Sequence, residues 1–405
     1  MTKETAKRYR RASKTERGRI LDELCALTGW SRDHARKALR RAWRGHEPKP
    51  RGGRRRPPVY GEDVLEPLRR VWATLGGPCG KRLAPFMAHI VEAMERHGEL
   101  VLAPEVRAKL LVMSPATIDR RLAPDRLRLG VGGRSGTKPG TLLKCQIPIR
   151  TFADWDDRRA GFFEADLVGH DGGSSRGEFC QTLDLTCVNT TWTELRAVPN
   201  KAQRWVFEAI DEIRTSLPFP MRGLDSDNGS EFINAELLRY CVANRITFTR
   251  SRAYRKNDNA HVEQKNWTAV RQNVGYARFD TPKELACLNE LYGVLGLLVN
   301  FFTPTMKLIE KTRDGAKLTR RYDVAQTPYQ RVLASPDVPA KTKAALTERF
   351  LELNPVELRR QLTGLQHRLL RINRMKHSPK RKEVKAPGAS RASSVRQRSG
   401  RTRAS

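Results

Sequence analysis

Apolar residues recur at helical spacing through roughly the first 130 residues, switch to the short runs of strands from about 150, and return to helical spacing after about 282. In the first segment Ser13-Lys14-Thr15-Glu16 has the form of a capping box and precedes Ile20, Leu21, Leu24 and Leu27. Thr28-Gly29-Trp30 interrupts that stripe. Ser31 can cap a second helix running to about Trp43, with Ala35, Ala38, Leu39 and Ala42 on its inner face. Between 60 and 128 the pattern is helical again. Near its end "VRAKLLVMSPATIDRRL" (106–122) repeats the arrangement of helix, turn and capped helix, with Ser114 as N-cap and Pro115 at the first helical position.

From about 150 the texture is α/β. "GFFEADLVGH", "FCQTLDLTCV" and "TWTELRAVP" read as three successive strands, and residues 201–216 as an amphipathic helix through Trp205, Val206, Ala209, Ile210 and Ile213. "MRGLDSD" is a strand, "SEFINAELLRYCVANR" a helix and "ITFTRS" another strand. After the loop "RAYRKND", "NAHVEQKNWTAVRQNVGY" closes the unit as a helix. Strand, strand, strand, helix, strand, helix, strand, helix predicts a mixed five-stranded sheet with packed helices over 150–280. In 281–335, "ELACLNELYGVLGLLVNFFTP" reads as an apolar helix, serving either the core or a subunit contact, and "MKLIEKTRDGAKLTRRYDVAQTPYQRVL" as a small β unit with a glycine turn. Helices follow over 336–374. Leu358, Leu362, Leu365, Leu369 and Ile372 form a stripe that suits either a dimer seam or docking on the chain's own domain.

Charge changes what the helical segments are expected to do. The 405 residues carry a formal net charge of +33, which makes a polyanion the expected partner. Residues 1–60 hold 19 Lys/Arg against 6 Asp/Glu, and residues 376–405 hold 10 against 1. Arg32, Arg36, Lys37, Arg40 and Arg41 stud the second helix of the 1–47 segment, so that segment reads as a helix-turn-helix for double-stranded DNA, or else as a small basic helical domain. The same alternatives hold for 60–130, where Thr117, Asp119, Arg120 and Arg121 are the candidate groove contacts. Between them "PKPRGGRRRPP", within 48–59, is either a plain linker or a minor-groove hook through Arg51, Arg54 and Arg55. A Gly/Ser/Lys loop at 130–140 closes this half, and the basic 375–405 tail is expected to order only on DNA. No stretch approaches 18 uncharged apolar residues and no hydrophobic signal region opens the chain, so a cytoplasmic, nucleoid-associated location and no membrane contact are expected. Seven cysteines without a CxxC pair agree with a reducing compartment.

Three acids occupy special places. Asp166 lies inside the first strand beside Phe163, Leu167 and Val168, where a buried carboxylate needs a cation or strong donors. Asp227 ends the fourth strand, just before the turn at Asn228-Gly229. Glu263 is on the last helix, with 35 residues between it and Asp227. Strand tips and a crossing helix can converge at one sheet edge, and oxygen-only ligands select Mg²⁺ or Mn²⁺ over zinc. Asp225 shares a strand face with Asp227 and is a candidate supporting acid, as are His170, Asn228 and Asn259 for supporting polar roles. Asp184 is expected to hydrogen-bond at a strand end, and Glu231 to favour a helix N-terminus. Arg252, Arg255, Lys256 and Lys265 are candidates to line a channel for DNA phosphates.

Asp166…Asp227-Asn-Gly-Ser-Glu-Phe…Glu263 resembles the D,D-35-E core of retroviral integrases and bacterial insertion-sequence transposases, over about residues 155–280. "DSDNGSEFIN…FTRSRAYRKNDNAHVEQKNW" is similar to the insertion-sequence branch in particular. The resemblance implies an RNase H-like fold holding two Mg²⁺ ions about 4 Å apart. On that pattern Asp166 bridges both, Asp227 holds one and Glu263 the other. It also implies cleavage at transposon ends, transfer of the freed 3′-hydroxyl into target DNA, and action as a homo-oligomer of two or more copies. The sequence departs from retroviral integrases in one respect: Cys25, His34, His46 and Cys79 lack the spacing of a zinc module. Two other functions remain open, a DNA-binding repressor with an inactive core and an RNase H-like nuclease that does not join strands.

Overall fold

The computed structural model describes residues 2–43, 59–128, 159–226, 229, 231–232, 234–250, 260–314 and 317–377. The contacts divide the chain into two units, 1–61 and 62–405.

The first unit is three helices, α1 (Thr2–Arg11), α2 (Lys14–Thr28) and α3 (Arg32–Trp43). The Ser13/Glu16 capping box is formed in both directions, and Gly29, at φ +67°, ends α2 in the left-handed conformation that glycine adopts without strain. Ala6, Ile20, Leu21, Leu24, Ala35 and Leu39 make its core. The sequence pattern missed α1, because Ala6 is its only buried apolar residue among those described.

In the second unit, α4 (Glu62–Thr74), α5 (Gly80–Arg96), α6 (Pro104–Leu111), α7 (Pro115–Arg121) and α8 (Ala123–Arg128) form a helical layer. Ser114 caps α7 through Thr117 N, as its sequence suggests. The α5 N-terminus meets α7 so closely that a Cβ at Gly80 would lie 2.1 Å from Pro115 O. Asp119, a candidate groove contact in the sequence, is spent on this junction: its Oδ1 accepts from Gly80 N at 2.7 Å and from Arg126 at 2.6 Å.

The sheet comprises β1 (Phe162–Gly169), β2 (Gln181–Cys187), β3 (Thr193–Val198), β4 (Gly223–Ser226) and β5 (Thr247–Arg250), in the order β3-β2-β1-β4-β5. β1–β2 and β2–β3 pair antiparallel, β1–β4 and β4–β5 parallel. This mixed five-stranded sheet fits an RNase H-like core. Helix α9 (Gln203–Ser216) buries Val206, Ala209, Ile210 and Ile213. Helix α10 (Ala235–Ala243) begins later than the sequence pattern suggests, because Asn234 accepts from Leu237 N and acts as its cap. Helix α11 (Ala260–Lys265) runs through a π-helical stretch, Asn266–Arg271, into α12 (Gln272–Val274).

Helix α13 (Pro282–Leu297) continues as a π-helical stretch, Leu298–Phe302. By length and composition alone this 21-residue segment could cross a membrane, a test that the core helix of a folded domain also passes. Its side chains instead complete the edge of the sheet. Asn300 accepts from Thr193 N and donates to Thr193 O, both at 2.9 Å, and Asn289 does the same for Ala197 at 2.8 and 3.0 Å. Two amides thus satisfy backbone groups that an open edge strand would leave unpaired. Tyr292 of the same helix reaches Thr182 Oγ1 at 2.7 Å, and Thr182 in turn meets His170 Nε2 at 2.7 Å.

A hairpin of β6 (Leu308–Asp314) and β7 (Lys317–Tyr322) precedes α14 (Pro328–Ala334), α15 (Ala340–Glu352) and α16 (Pro355–His377). Helix α16 buries Leu358, Leu362 and Leu369 within its own unit, so the leucine stripe is docked on its own domain. At one end Arg360 pairs with Glu99 at 2.9 Å and Arg359 donates to Thr74 O. At the other, Asn373 and Lys376 donate to the fully buried Glu284. Burial alone would raise the Glu284 carboxyl, but these donors and Asp280 N outweigh it and hold it below the usual range.

Two predictions follow from the packing. Replacing Asn300 by Leu leaves Thr193 N and O buried without partners and costs roughly 2–4 kcal/mol; a urea midpoint unchanged from wild type would refute the edge role. His170 is fully buried, and burial, with the charge of Arg271 acting the same way, lowers its imidazole from 6.5 to about 3. The unfolded chain therefore binds a proton that the fold refuses, so this contribution to stability is present above pH 6.5 and is lost as the pH falls toward 3. The wild-type slope from this group approaches about 1.4 kcal/mol per pH unit over that window. Urea titrations between pH 7 and 5 should show a flatter acid limb in His170→Gln; equal slopes would refute it.

Candidate active site

One face of the sheet carries a row of acids. Asp166 and Glu164, two residues apart on β1, point to the same face by strand alternation. The register sets Asp184 of β2 opposite Asp166, and Asp225 of β4 opposite Glu164, with Thr249 of β5 next in line. Glu164, Asp184, Asp225 and Thr249 are buried, and Asp166 is half-buried. Each buried acid has a specific donor. Thr249 Oγ1 donates to Asp225 Oδ1 at 2.5 Å, and Thr186 Oγ1 to Asp184 Oδ1 at 2.8 Å.

Helix α11 lies over this row and is tied to β1 at two points. Val262 N donates to Glu164 Oε2 at 3.1 Å, and Asn266 Nδ2 donates to Asp166 Oδ2 at 2.6 Å. Leu167 N donates to the other oxygen, Asp166 Oδ1, at 2.8 Å. Glu263 lies between the two ties and is exposed. Residues three apart on a helix have Cβ atoms about 5–6 Å apart, so Glu263 is carried on the side of α11 that Asn266 fastens to Asp166. The π-helical stretch starts at Asn266, where such irregularities often mark function.

Lys265 corrects the sequence reading. A lysine in "VEQKNW" was expected to line a DNA channel, yet its side chain is buried at 6% exposure, under the helix rather than on it. Burial lowers its ammonium to about 8, against the pull of Asp184, while burial raises the Asp184 carboxyl to about 8. The two are driven toward each other, and Lys265 is the one buried cation near the acid row among the described residues. Its surroundings are those of an internal charge rather than of a surface one.

Asp225 is held inside the sheet by Thr249, and the His170 ring engages Thr182 and packs on Phe279 at 5.3 Å. Glu164 was missed altogether: in sequence it reads as one more polar residue in "FFEADLV", and only the sheet register reveals it beneath α11. Asn266 was legible as a neighbour of Glu263 but not as the donor to Asp166. In the first unit Arg32, Arg36, Lys37, Arg40 and Arg41 are all exposed, with Arg32 paired to Asp22 and Lys37 to Asp33. On α7, Arg120 is exposed while Thr117 and Arg121 are half-buried. Arg51, Arg54, Arg55, Asp227, Asn228, Arg252, Arg255, Lys256 and Asn259, with the 130–140 loop and the tail beyond 377, lie outside the described residues.

Among the described residues no group of three or more His, Cys, Asp or Glu could hold a metal ion. Asp184 Oδ2 and Asn266 Oδ1 are oxygens buried without a hydrogen-bond partner, and oxygen ligands suit a hard cation. β4 ends at Ser226, whose register partner Ala165 immediately precedes Asp166, and the next residue in the chain is Asp227.

No protein-family model matches the chain. Among solved structures, the catalytic core domain of BIV integrase is similar at 15% identity and a TM-score of 0.27, over 42% of this chain and 91% of that one. Among curated proteins, "Uncharacterized protein y4rM" of Sinorhizobium fredii (strain NBRC 101917 / NGR234) is 41% identical over 324 residues, which span 80% of this chain and 91% of that protein. With that identity over nearly the whole of the relative, the chain belongs to the same family as y4rM of Sinorhizobium fredii.

Proposed function

We propose that this protein is a DNA strand transferase of the integrase-core class, a transposase that cleaves at transposon ends and joins the freed 3′-hydroxyls to target DNA. The observation that carries this reading is the tie between Asn266 and Asp166, which brings the helix bearing Glu263 onto the strand bearing Asp166. Parallel pairing of β4 with β1 supports it further, since the chain enters Asp227 directly from the partner of Ala165. Asp166, Asp227 and Glu263 are the residues that would hold two Mg²⁺ or Mn²⁺ ions. Bound there, such ions supply charge stabilisation at the attacking and leaving oxygens of an in-line displacement.

The chain's own groups prepare this site. Asn266 and Leu167 N hold the two oxygens of Asp166, fixing the plane of its carboxylate. Glu164 accepts from Val262 N and so sets where α11, and with it Glu263, begins. Lys265 offsets part of the negative charge that the row of acids concentrates under the helix. The exposed arginines of α3 and Arg120 of α7 are the surfaces proposed to read end DNA, as helix-turn-helix elements, with two or more copies assembled on the transposon ends.

Asp166→Asn and Glu263→Gln should each lower Mg²⁺-dependent cleavage and joining of end-bearing duplexes by about 10³-fold or more while leaving duplex affinity within about twofold. Activity retained in either variant would overturn the assignment. Joining absent in the wild type, with hydrolysis retained, would favour a nuclease instead. Asn266→Ala should raise the Mg²⁺ concentration for half-maximal rate by about 10- to 100-fold, as loss of a group orienting a ligand does. An unchanged Mg²⁺ requirement would show that Asn266 is merely structural.

A further inference from the structure

Asp184 is a buried acid to which the function proposed above gives no task. It lies at the middle of β2, fully buried, and directly opposite Asp166 in the β1–β2 register. Residues paired across antiparallel strands point to the same face, with Cβ atoms about 4.5–5.5 Å apart, so the two carboxyls stand side by side. Thr186 Oγ1 donates to one oxygen of Asp184, Oδ1, at 2.8 Å. The other, Oδ2, is buried and receives no hydrogen bond. The buried ammonium of Lys265 acts on the charge of Asp184 without donating to Oδ2.

A second free acceptor lies at the same place. Asn266 spends its amide nitrogen on Asp166 Oδ2 at 2.6 Å, which sets the amide oxygen beside that carboxylate. This oxygen, Oδ1, is buried and also receives no hydrogen bond. Buried acceptors are nearly always paired, and an unpaired one costs stability. Two of them, one from β2 and one from the helix over the sheet, border a single carboxylate. What satisfies such a place is a group that brings donors and positive charge together. A hydrated hard cation does both, since Mg²⁺ keeps several of its waters when bound. Glu164, Asp166 and Asp184 do not by themselves form a group that could hold a metal ion. Asp184 therefore stands behind the position of an ion at Asp166 rather than in its inner shell.

We propose that Asp184 is a positioning residue of the cation site, accepting through Oδ2 from the water shell of an ion held at Asp166, with Asn266 Oδ1 as a second acceptor. Asp184 acts so only if Asp166, Asp227 and Glu263 hold ions as proposed above, and this role rests on that reading. Loss of an outer partner of this kind costs about 10- to 100-fold in metal affinity. The competing role is that of an internal counter-charge for Lys265 and nothing more. The two roles part when both charges are removed together, because the balance is then kept while the free oxygen of an ionised carboxylate is lost.

The test titrates the full-length chain with Mn²⁺ in the absence of DNA and reads free ion by its electron paramagnetic resonance signal. Asp166→Asn marks the site and should abolish the binding. Asp184→Asn, which keeps an acceptor for Thr186, should weaken it about 10- to 100-fold. Asp184→Asn with Lys265→Met removes one negative and one positive charge, so it guards against a fold lost to an uncompensated ammonium. That double variant should remain about 10- to 100-fold weaker than wild type. Recovery of wild-type affinity in it would show that Asp184 only balances Lys265 and would overturn the proposal. If Asp166→Asn loses the ion and both Asp184 variants match wild type, the role of Asp184 falls while the proposed function stands. If the wild type holds no Mn²⁺ that Asp166→Asn removes, both fall.

Discussion

Placing carboxylates side by side across the middle of a sheet is the constraint on which the rest of this fold depends. Glu164, Asp166, Asp184 and Asp225 share one face through the register of three strands. Ionised neighbours at such spacing repel strongly in a low-dielectric interior, and each costs desolvation as well. The fold answers with four different devices: hydroxyl donors at Asp184 and Asp225, a backbone N–H at Glu164, an amide at Asp166, and the buried ammonium of Lys265. Three of these five compensating groups come from a single stretch, 262–266, so α11 is positioned as much by the electrostatics of the acids as by apolar packing. That coupling gives Glu263 a fixed place although its own side chain is exposed.

Much of this was open to sequence reasoning, and the reasons for the rest are physical. Short apolar and Thr/Val-rich runs located β1 to β3, and the 3.6-residue period located α9, which buries one continuous apolar set. The spacing from Asp227 to Glu263 singled out those acids as candidates by order. Periodicity tells which face a residue takes, but not what lies across from it. Lys265 was therefore read as a channel residue, since a buried and an exposed lysine look alike in sequence until the opposing strand is known. Glu164 escaped for the same reason. Asn289 and Asn300 were silent too: their work, closing the edge of β3, exists only once an apolar helix has been laid along that edge. The first helix, α1, escaped because its single buried alanine leaves no stripe to read.

The helical layer 62–128 and the sheet are joined by a strut rather than by sequence adjacency. Helix α16, 23 residues and so about 35 Å long, is fixed to Glu99 and Thr74 at one end and to Glu284 at the other. Glu284 caps α13 at Thr281 and gathers Asn373 and Lys376, and α13 completes the edge of the sheet through Asn289 and Asn300. A continuous path of packed helices and buried polar contacts therefore runs from the α5–α7 junction to the sheet that bears the acids.

The net charge of +33 is distributed to the same end. The arginines of α3 and Arg120 of α7 are exposed, whereas the acids of the sheet are mostly buried and gathered on one face. A negative cluster left open to solvent would repel a phosphodiester, and a uniformly basic surface would hold DNA anywhere. With basic side chains exposed and the acid row recessed, the repulsive charge of the sheet is confined to one place. On the function proposed above, a DNA backbone drawn to that place would be accepted only when cations offset the carboxylates.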